Sequence, residues 1–303
     1  MSWRTWIVFA ALGIVWGLPY FFIKLALVEI SPAGVAFSRI ALGALVLLPI
    51  AWKRGTLAKL HTHIVAVIAF AFAELVGPFF LISLGESWIS SSLAGILIAL
   101  VPLGVVLLSP LFGVREKLSV RRVSGLLLGF AGVVALLGIE PPVGKLQWLG
   151  VVCIIVSVIG YATGSLIVQR YLHGVDELAA VAVSLGIAAI VLAPAAIWTA
   201  PAAMPSSQGL FAVFVLGVVC TALALYFYFY LIAQAGASRA SVITYINPAV
   251  ATLLGVTVLG EHFGVGTGVG FVMILLGSWL GTRGTQPQSE FDASRAQAAQ
   301  EGH

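Results

Sequence analysis

Charge is what this chain has least of. Only 9% of its 303 residues are charged, against 61% hydrophobic. A soluble globular protein carries about 25% charged residues because its surface must face water. The deficit excludes a water-facing exterior all round, so much of the outside must face lipid. Cysteine is scarce too: Cys153 and Cys220 both lie inside apolar runs, which excludes a disulfide framework and CxxC metal spacing. No GxxxxGK[ST] phosphate loop occurs, which argues against ATP hydrolysis by this chain. His61, His63, His173, His262 and His303 are scattered through loops and the tail. They lack metal-ligand spacing, so no metal site is expected. The net charge of +4 reads as Lys and Arg collected in cytoplasmic loops, not as a nucleic-acid surface.

Long apolar runs are what the chain has in abundance. A spanning helix needs roughly 20 mostly apolar residues. Runs of that kind fall near 5–24, 33–52, 64–84, 90–112 and 122–139, and again near 147–169, 178–199, 209–232, 239–259 and 265–282. Polar or Gly/Pro-bearing stretches separate them, such as KRGTLAKLHTH at 53–63 and APAAMPSSQG at 200–209. Arg4 followed by an apolar run could suggest a secretory signal. The run continues without a convincing cleavage site, so an uncleaved first helix is expected. The stretch 284–303 is polar and Gln/Ala/Ser-rich, and reads as a disordered cytoplasmic tail.

The basic residues orient these helices. With the N-terminus inside, twelve of the 15 Lys and Arg fall in the cytoplasm, only Lys24 and Lys145 fall outside, and Arg39 is embedded. That distribution obeys the positive-inside rule and supports an even number of helices, with both termini cytoplasmic. The two sets of five also resemble each other. A shift of 145 residues places Pro49 on Pro194, Gly125 on Gly270, Gly132 on Gly277 and Glu116 on Glu261, and a shift of 146 places Pro102 on Pro248. Five is odd, so the second copy must enter the membrane from the opposite side. The expected fold is all-α integral membrane: ten transmembrane helices as two inverted-topology five-helix repeats, over 1–140 and 147–283. Transporters of that plan bind solute near the midplane, between the halves.

The pattern resembles a known family. Trp16–Gly17, the SRIALGALVLLP stretch from Ser38, and two late blocks carry the likeness. One block runs from SSSLAGILIALVP to GLLLGFAGVVAL, the other from ASRASVITYINPAV to GFVMILLGSWL. Each has a small-residue start, a mid-helix proline, an acid at the helix end and a glycine-spaced final helix. These features resemble the EamA family of the drug/metabolite transporter superfamily over about residues 5–282. The resemblance implies a multi-pass inner-membrane exporter of amino acids or other small metabolites, without a soluble cofactor. One departure stands out: Gly160–Tyr161 occupies the place of an expected tryptophan.

Few residues can carry chemistry inside such a bundle. Glu74 lies mid-helix in FAFAELVGPFF, and an intramembrane acid is a functional candidate by default. Pro78 cannot donate the backbone bond to Glu74's carbonyl, so acid and freed carbonyl sit together. Glu74 can bind a substrate ammonium or carry a coupling proton; it can equally be a structural hydrogen-bonded acid. Arg39, on the preceding helix, is a candidate ion-pair partner for Glu74, a site for a substrate carboxylate, or a scaffold. Pro102 and Pro248 interrupt equivalent helices, marking either a solute site or two packing kinks, and Asn247 offers donors and acceptors for an amino-acid backbone. Trp16 and Tyr20 share a face of the first helix beside Pro19. Tyr226 and Tyr230 share a face of the eighth, and Tyr161, Thr163 and Ser165 make the sixth helix polar. As a wall they would suit an apolar or aromatic solute, although packing or interfacial aromatics would look alike. Gly125, Gly129 and Gly132, with Gly266, Gly270 and Gly277, allow close helix approach either within the chain or in a weak homodimer.

Three classes of function fit this reading unequally. A secondary carrier or facilitator exporting small metabolites, amino acids first, by alternating access fits best, with lipid and a small-molecule substrate as its partners and a monomer or weak homodimer as its state. A membrane-embedded enzyme acting on a lipid or prenyl substrate would need clustered carboxylates or a nucleophile beside its base, and the loop acids here are sparse. A sensor or assembly subunit lacks an attached soluble domain.

Overall fold

The computed structural model describes residues 3–113, 120–139, 141–172, 174–235 and 246–282. Glu116, Glu140, Thr244, the start of the helix expected at 239–259, and the tail at 284–303 lie outside these residues. The described residues form ten helical segments. They are α1 (Trp3–Val15 and Leu18–Ala26), α2 (Pro32–Lys53), α3 (Leu60–Glu86) and α4 (Ser91–Ile98 and Val101–Leu108). Next come α5 (Val120–Ile139), α6 (Lys145–Tyr171) and α7 (Glu177–Trp198). Last are α8 (Ser207–Phe214, Val215–Leu223 and Ala224–Ala235), α9 (Asn247–Thr257) and α10 (Val265–Thr282). Seven stretches are long and apolar enough to cross a membrane: those of α1 to α4 and α6 to α8. α5 and α10 each hold a shorter apolar stretch.

Local chemistry starts these helices where the sequence changes character. The Ser31 hydroxyl accepts the Gly34 N–H at 3.1 Å, with Pro32 in the first turn of α2. Ser90, Asp176 and Ser206 cap α4, α7 and α8 in the same way. Each satisfies one of the backbone donors left free at a helix start. The outside of the bundle is apolar: Leu45, Phe130 and Ile190 are 69%, 70% and 75% exposed, as lipid-facing residues should be.

Lipid is as apolar as leucine, so these helices are held by close packing of small residues more than by the hydrophobic effect. α5 and α10 show this most directly. A Cβ at position 277 would lie 2.4 Å from the Gly129 nitrogen, and one at 270 would lie 2.8 Å from the Gly132 carbonyl oxygen. The glycine pattern of these helices is therefore engaged within the chain. Position rises along α5, from Gly129 to Gly132, as it falls along α10, from Gly277 to Gly270, so the pair is antiparallel. α4 and α9 run oppositely too, with Gly95 against Ala251 and Ser92 against Gly255. So do α2 and α7, where Ser31 meets Thr199 and Gly43 meets Leu185.

The helices are interrupted where proline forbids a regular hydrogen-bond ladder. α1 breaks at Trp16–Gly17, just before Pro19, and α4 breaks at Ala99–Leu100, just before Pro102. The Ser278 hydroxyl of α10 donates to the Ala99 carbonyl at 2.7 Å, so the break in α4 is met by a protein partner. α3 and α8 each contain a wider, π-helical stretch, at Ala71–Val76 and Val215–Leu223. A shift of 145 residues carries the first onto 216–221, inside the second. The two third helices thus share a distortion as well as a sequence pattern. Such single-turn π-bulges are frequent at functional sites.

Candidate functional site

Glu74 sits inside the π-helical stretch of α3. Pro78, four residues on, has no N–H to close the ordinary turn, and the widened turn turns Glu74 toward α6. There, Gly164 and Gly160 make room. A Cβ at 164 would lie 2.2 Å from Glu74 Oε2, and one at 160 would lie 2.7 Å from the Ala73 carbonyl oxygen and 2.9 Å from Pro78 Cγ. The glycine where a tryptophan was expected is thus the residue that lets α3 approach. Glu74 Oε2 is buried without a hydrogen-bond partner.

Arg39 does not pair with Glu74. It is 8% exposed, its Nε donates to Thr221 Oγ1 at 2.9 Å, and its guanidinium lies 4.0 Å from the centre of the Phe79 ring. Thr221 in turn donates to the Leu216 carbonyl, a bond available inside the π stretch of α8. The expected ion pair is replaced by a hydroxyl acceptor and an aromatic face, both brought in by tertiary packing. Cation–π contact of this kind is strongest away from water.

The aromatic assignments divide. Tyr20 is 7% exposed, packs against Gly95 of α4, and lies within electrostatic reach of Tyr161, Glu86 and Arg39. Tyr161 touches both main core clusters and feels the charges of Arg39 and Glu74. Trp16 stacks on Tyr228 with ring centres 4.7 Å apart, and Tyr228 lies within reach of Glu74 and Glu177. Tyr226 and Tyr230 are 37% and 41% exposed, and Tyr226 faces the Arg54 guanidinium at 5.6 Å. The more buried tyrosine of α8 is therefore Tyr228, while Tyr226 and Tyr230 share the more exposed face. On α6, Ser165 is exposed, away from the buried Gly164.

Asn247 and the buried Pro248 begin α9 as described, and the Asn247 carbonyl approaches Gly17 in the break of α1. The break of α1 therefore meets the first described turn of α9, and Trp16 stands beside their junction. Trp16, Tyr228 and Asn247 thus meet where α1, α8 and α9 come together, Glu74 and Pro78 pack on α6, and Tyr20, Arg39 and Tyr161 lie within electrostatic reach of one another. Two grooves lie elsewhere, on the apolar exterior. One of about 230 Å³ separates α1 from α8, lined by Val8, Leu12 and Phe227, and one of about 650 Å³ follows the start of α10. Among the described residues no group of three His, Cys, Asp or Glu is placed to hold a metal.

Two further acids mark one end of the bundle. Glu261, after α9, accepts the Ser91 and Ser92 N–H groups at 2.7 and 2.9 Å and the Ser92 hydroxyl at 2.5 Å. It thereby closes the start of α4 with a charge suited to a helix N-terminus. Glu86, the last residue of α3, is wholly buried, and neither carboxyl oxygen has a partner. Read along the chain, Glu86 looks like an ordinary loop acid. Its neighbours Lys24 and Glu261, remote in sequence, are what give it significance.

Comparison with known proteins agrees with this architecture. The model of the EamA-like transporter family matches residues 3–138 and again 148–283. An uncharacterized transporter of Archaeoglobus fulgidus is 26% identical over 92% of this chain and 99% of its own length. The uncharacterized inner membrane transporter YedA of Escherichia coli K12 is 29% identical over 83% of this chain and 81% of its own. A solved crystal structure superposes with a TM-score of 0.66 at 21% identity, covering 93% of this chain and 97% of the other; it speaks for the fold alone. With two copies of the family's pattern spanning nearly all of its helical part, this chain belongs to the EamA-like transporter family.

Proposed function

We propose that the protein is a secondary carrier of the inner membrane that exports small metabolites by alternating access, with amino acids, bulky or aromatic ones included, as the first substrate class. The proposal takes ten spans in two inverted halves with both termini cytoplasmic. The antiparallel pairing of α2 with α7, α4 with α9 and α5 with α10 supports the inversion, and the Lys/Arg distribution supports the orientation. By that orientation Glu29, Glu86 and Glu261 lie at the outer end.

What supports the reading is that residues of both halves meet beside irregular backbone: Trp16 with Tyr228 and Asn247 at the break of α1, and Glu74 with α6, near Tyr161, in the widened turn of α3. Irregular backbone at membrane depth is tolerated only where it lines a site or meets protein. An orphan carboxyl oxygen among aromatic side chains suits an ammonium group on an apolar body. In this structure the centre is tightly packed and Glu261 holds the outer end of α4, which corresponds to a conformation shut toward the outside.

Counterflow in liposomes tests the proposal. Protein reconstituted with internal unlabelled amino acid should accumulate the same labelled amino acid from outside, and Glu74→Gln should lower that rate. A panel of amino acids, nucleosides and sugars in which none exchanges above protein-free liposomes would overturn it.

A further inference from the structure

Among the described residues, Glu86 is the charged-type side chain that is 0% exposed with neither carboxyl oxygen hydrogen-bonded, although Lys24 is at hand. The Lys24 ammonium instead donates to Glu86's own main-chain carbonyl, at the point where the end of α3 would otherwise leave that carbonyl unpaired. The chemistry around Glu86 is fully specified by its neighbours. α1 presents Lys24 and Tyr20, α2 presents Arg39, and the turn after α9 presents Glu261. α6 presents Gly150 and Cys153 against Gly85. At the start of α4, the buried Ser91 hydroxyl also lacks a partner. Glu261 spends its acceptors on the start of α4 and offers Glu86 only like charge.

An ionised carboxylate stripped of water and donors is strongly disfavoured, and a second carboxylate close by disfavours it further. The neutral acid is the form this closed corner accommodates. Once α4 and α9 part and water enters, the carboxylate is hydrated and can turn to Lys24. The site therefore has one proton more when shut than when open.

We propose that Glu86 is a proton-binding site of the outer gate, taking up one proton from the outer solution as the gate shuts and returning it on opening. On opening, the carboxyl O–H bond breaks, the electron pair stays on the carboxylate oxygen and the proton passes to outer water; shutting reverses this. The inference rests on the carrier reading for its meaning in transport, but the proton linkage stands on the corner itself. This proton is separate from any carried by Glu74, which lies at the level of the substrate centre.

Linkage fixes the sign. The shut state holds the extra proton, so raising the outer pH favours opening, by up to roughly tenfold per pH unit in the range above the ordinary Glu value of about 4.3. Hydrogen–deuterium exchange on the full chain in nanodiscs, from mildly acidic to mildly alkaline buffer, reads this without any substrate. After correction for intrinsic exchange rates, the amides of Ser91–Ile98 should lose protection as pH rises. Glu86→Gln, a neutral isostere, should keep them protected at every pH, and Glu86→Asp should restore the dependence. Lys24→Met, which leaves the carboxyl in place, should move the midpoint to higher pH and serves if the Gln variant does not fold. A flat wild-type profile would overturn the proposal. So would a pH dependence that survives in Glu86→Gln and vanishes in Glu261→Gln, which would assign the proton to the clamp. Because this measurement needs no transported solute, a failed counterflow screen with an intact pH profile would sink the carrier reading and leave Glu86 standing.

Discussion

Replacing Gly164 by alanine puts the contact between α6 and α3 to its sharpest test. The added Cβ would stand 2.2 Å from Glu74 Oε2 and 3.0 Å from Glu74 Cβ. Ordinary contact therefore requires the carboxyl to retreat by roughly 1 Å. It cannot slide freely, because the π-helical stretch and Pro78 fix its backbone and Gly160 is already occupied by Ala73 and Pro78. Overpacking of this kind costs about 1–3 kcal/mol, which at roughly 2–4 °C per kcal/mol lowers the Tm by a few degrees. Transport should suffer more than stability: a displacement of about 1 Å in a working group can cost on the order of a hundredfold in rate. The assay pairs thermal unfolding in nanodiscs with counterflow in liposomes for Gly164→Ala, Glu74→Ala and the double variant. The double variant should regain most of the Tm lost by Gly164→Ala, since the offending atoms are gone, yet stay inactive. Wild-type counterflow in Gly164→Ala, or a double variant no more stable than the single one, would refute the reasoning.

Two further outcomes follow from contacts away from that seam. Thr221→Val should destabilise the protein by about 1–3 kcal/mol by stranding the buried Arg39 Nε–H, whereas Thr221→Ser should not; equal Tm values for the two would show that the hydroxyl is not Arg39's partner. In the turn after α1, hydrogen bonds from the Ser206 side chain and main chain hold the Glu29 carboxyl below its ordinary value, the main-chain one at 2.5 Å. Its contribution is complete above the ordinary carboxylate range and is lost as pH falls through the depressed value. Amides at the start of α8 should thus exchange faster in acid, and Glu29→Gln should remove that acid transition; its persistence would assign it elsewhere.

The parts of the fold that depend on neighbours along the chain were legible in the sequence. The apolar runs give the helices, Pro19 and Pro102 mark where two of them are interrupted, and the spacing of Gly125, Gly132, Gly270 and Gly277 announces the repeat. Glu74 was legible because its depth alone makes it conspicuous. What sequence reading missed depends on contacts between remote segments. Arg39 meets Thr221 across 182 positions, and nothing near Arg39 announces a threonine in preference to an acid. Glu86 looks like a loop residue until Lys24 and Glu261 are brought to it. Tyr226 and Tyr230 were singled out because they share a face, but a shared face does not say which side of α8 turns inward, and there Tyr228 meets Trp16.

The backbone-to-backbone contact of α5 with α10 sets a mechanical condition on the whole molecule. Where main chain rests directly on main chain, no side chain can swing to absorb sliding, and the pair must travel as one stiff body. It is a keel. In the carrier proposed above, Gly129 and Gly277 therefore offer a frame of reference from which the displacement of the other helices can be measured.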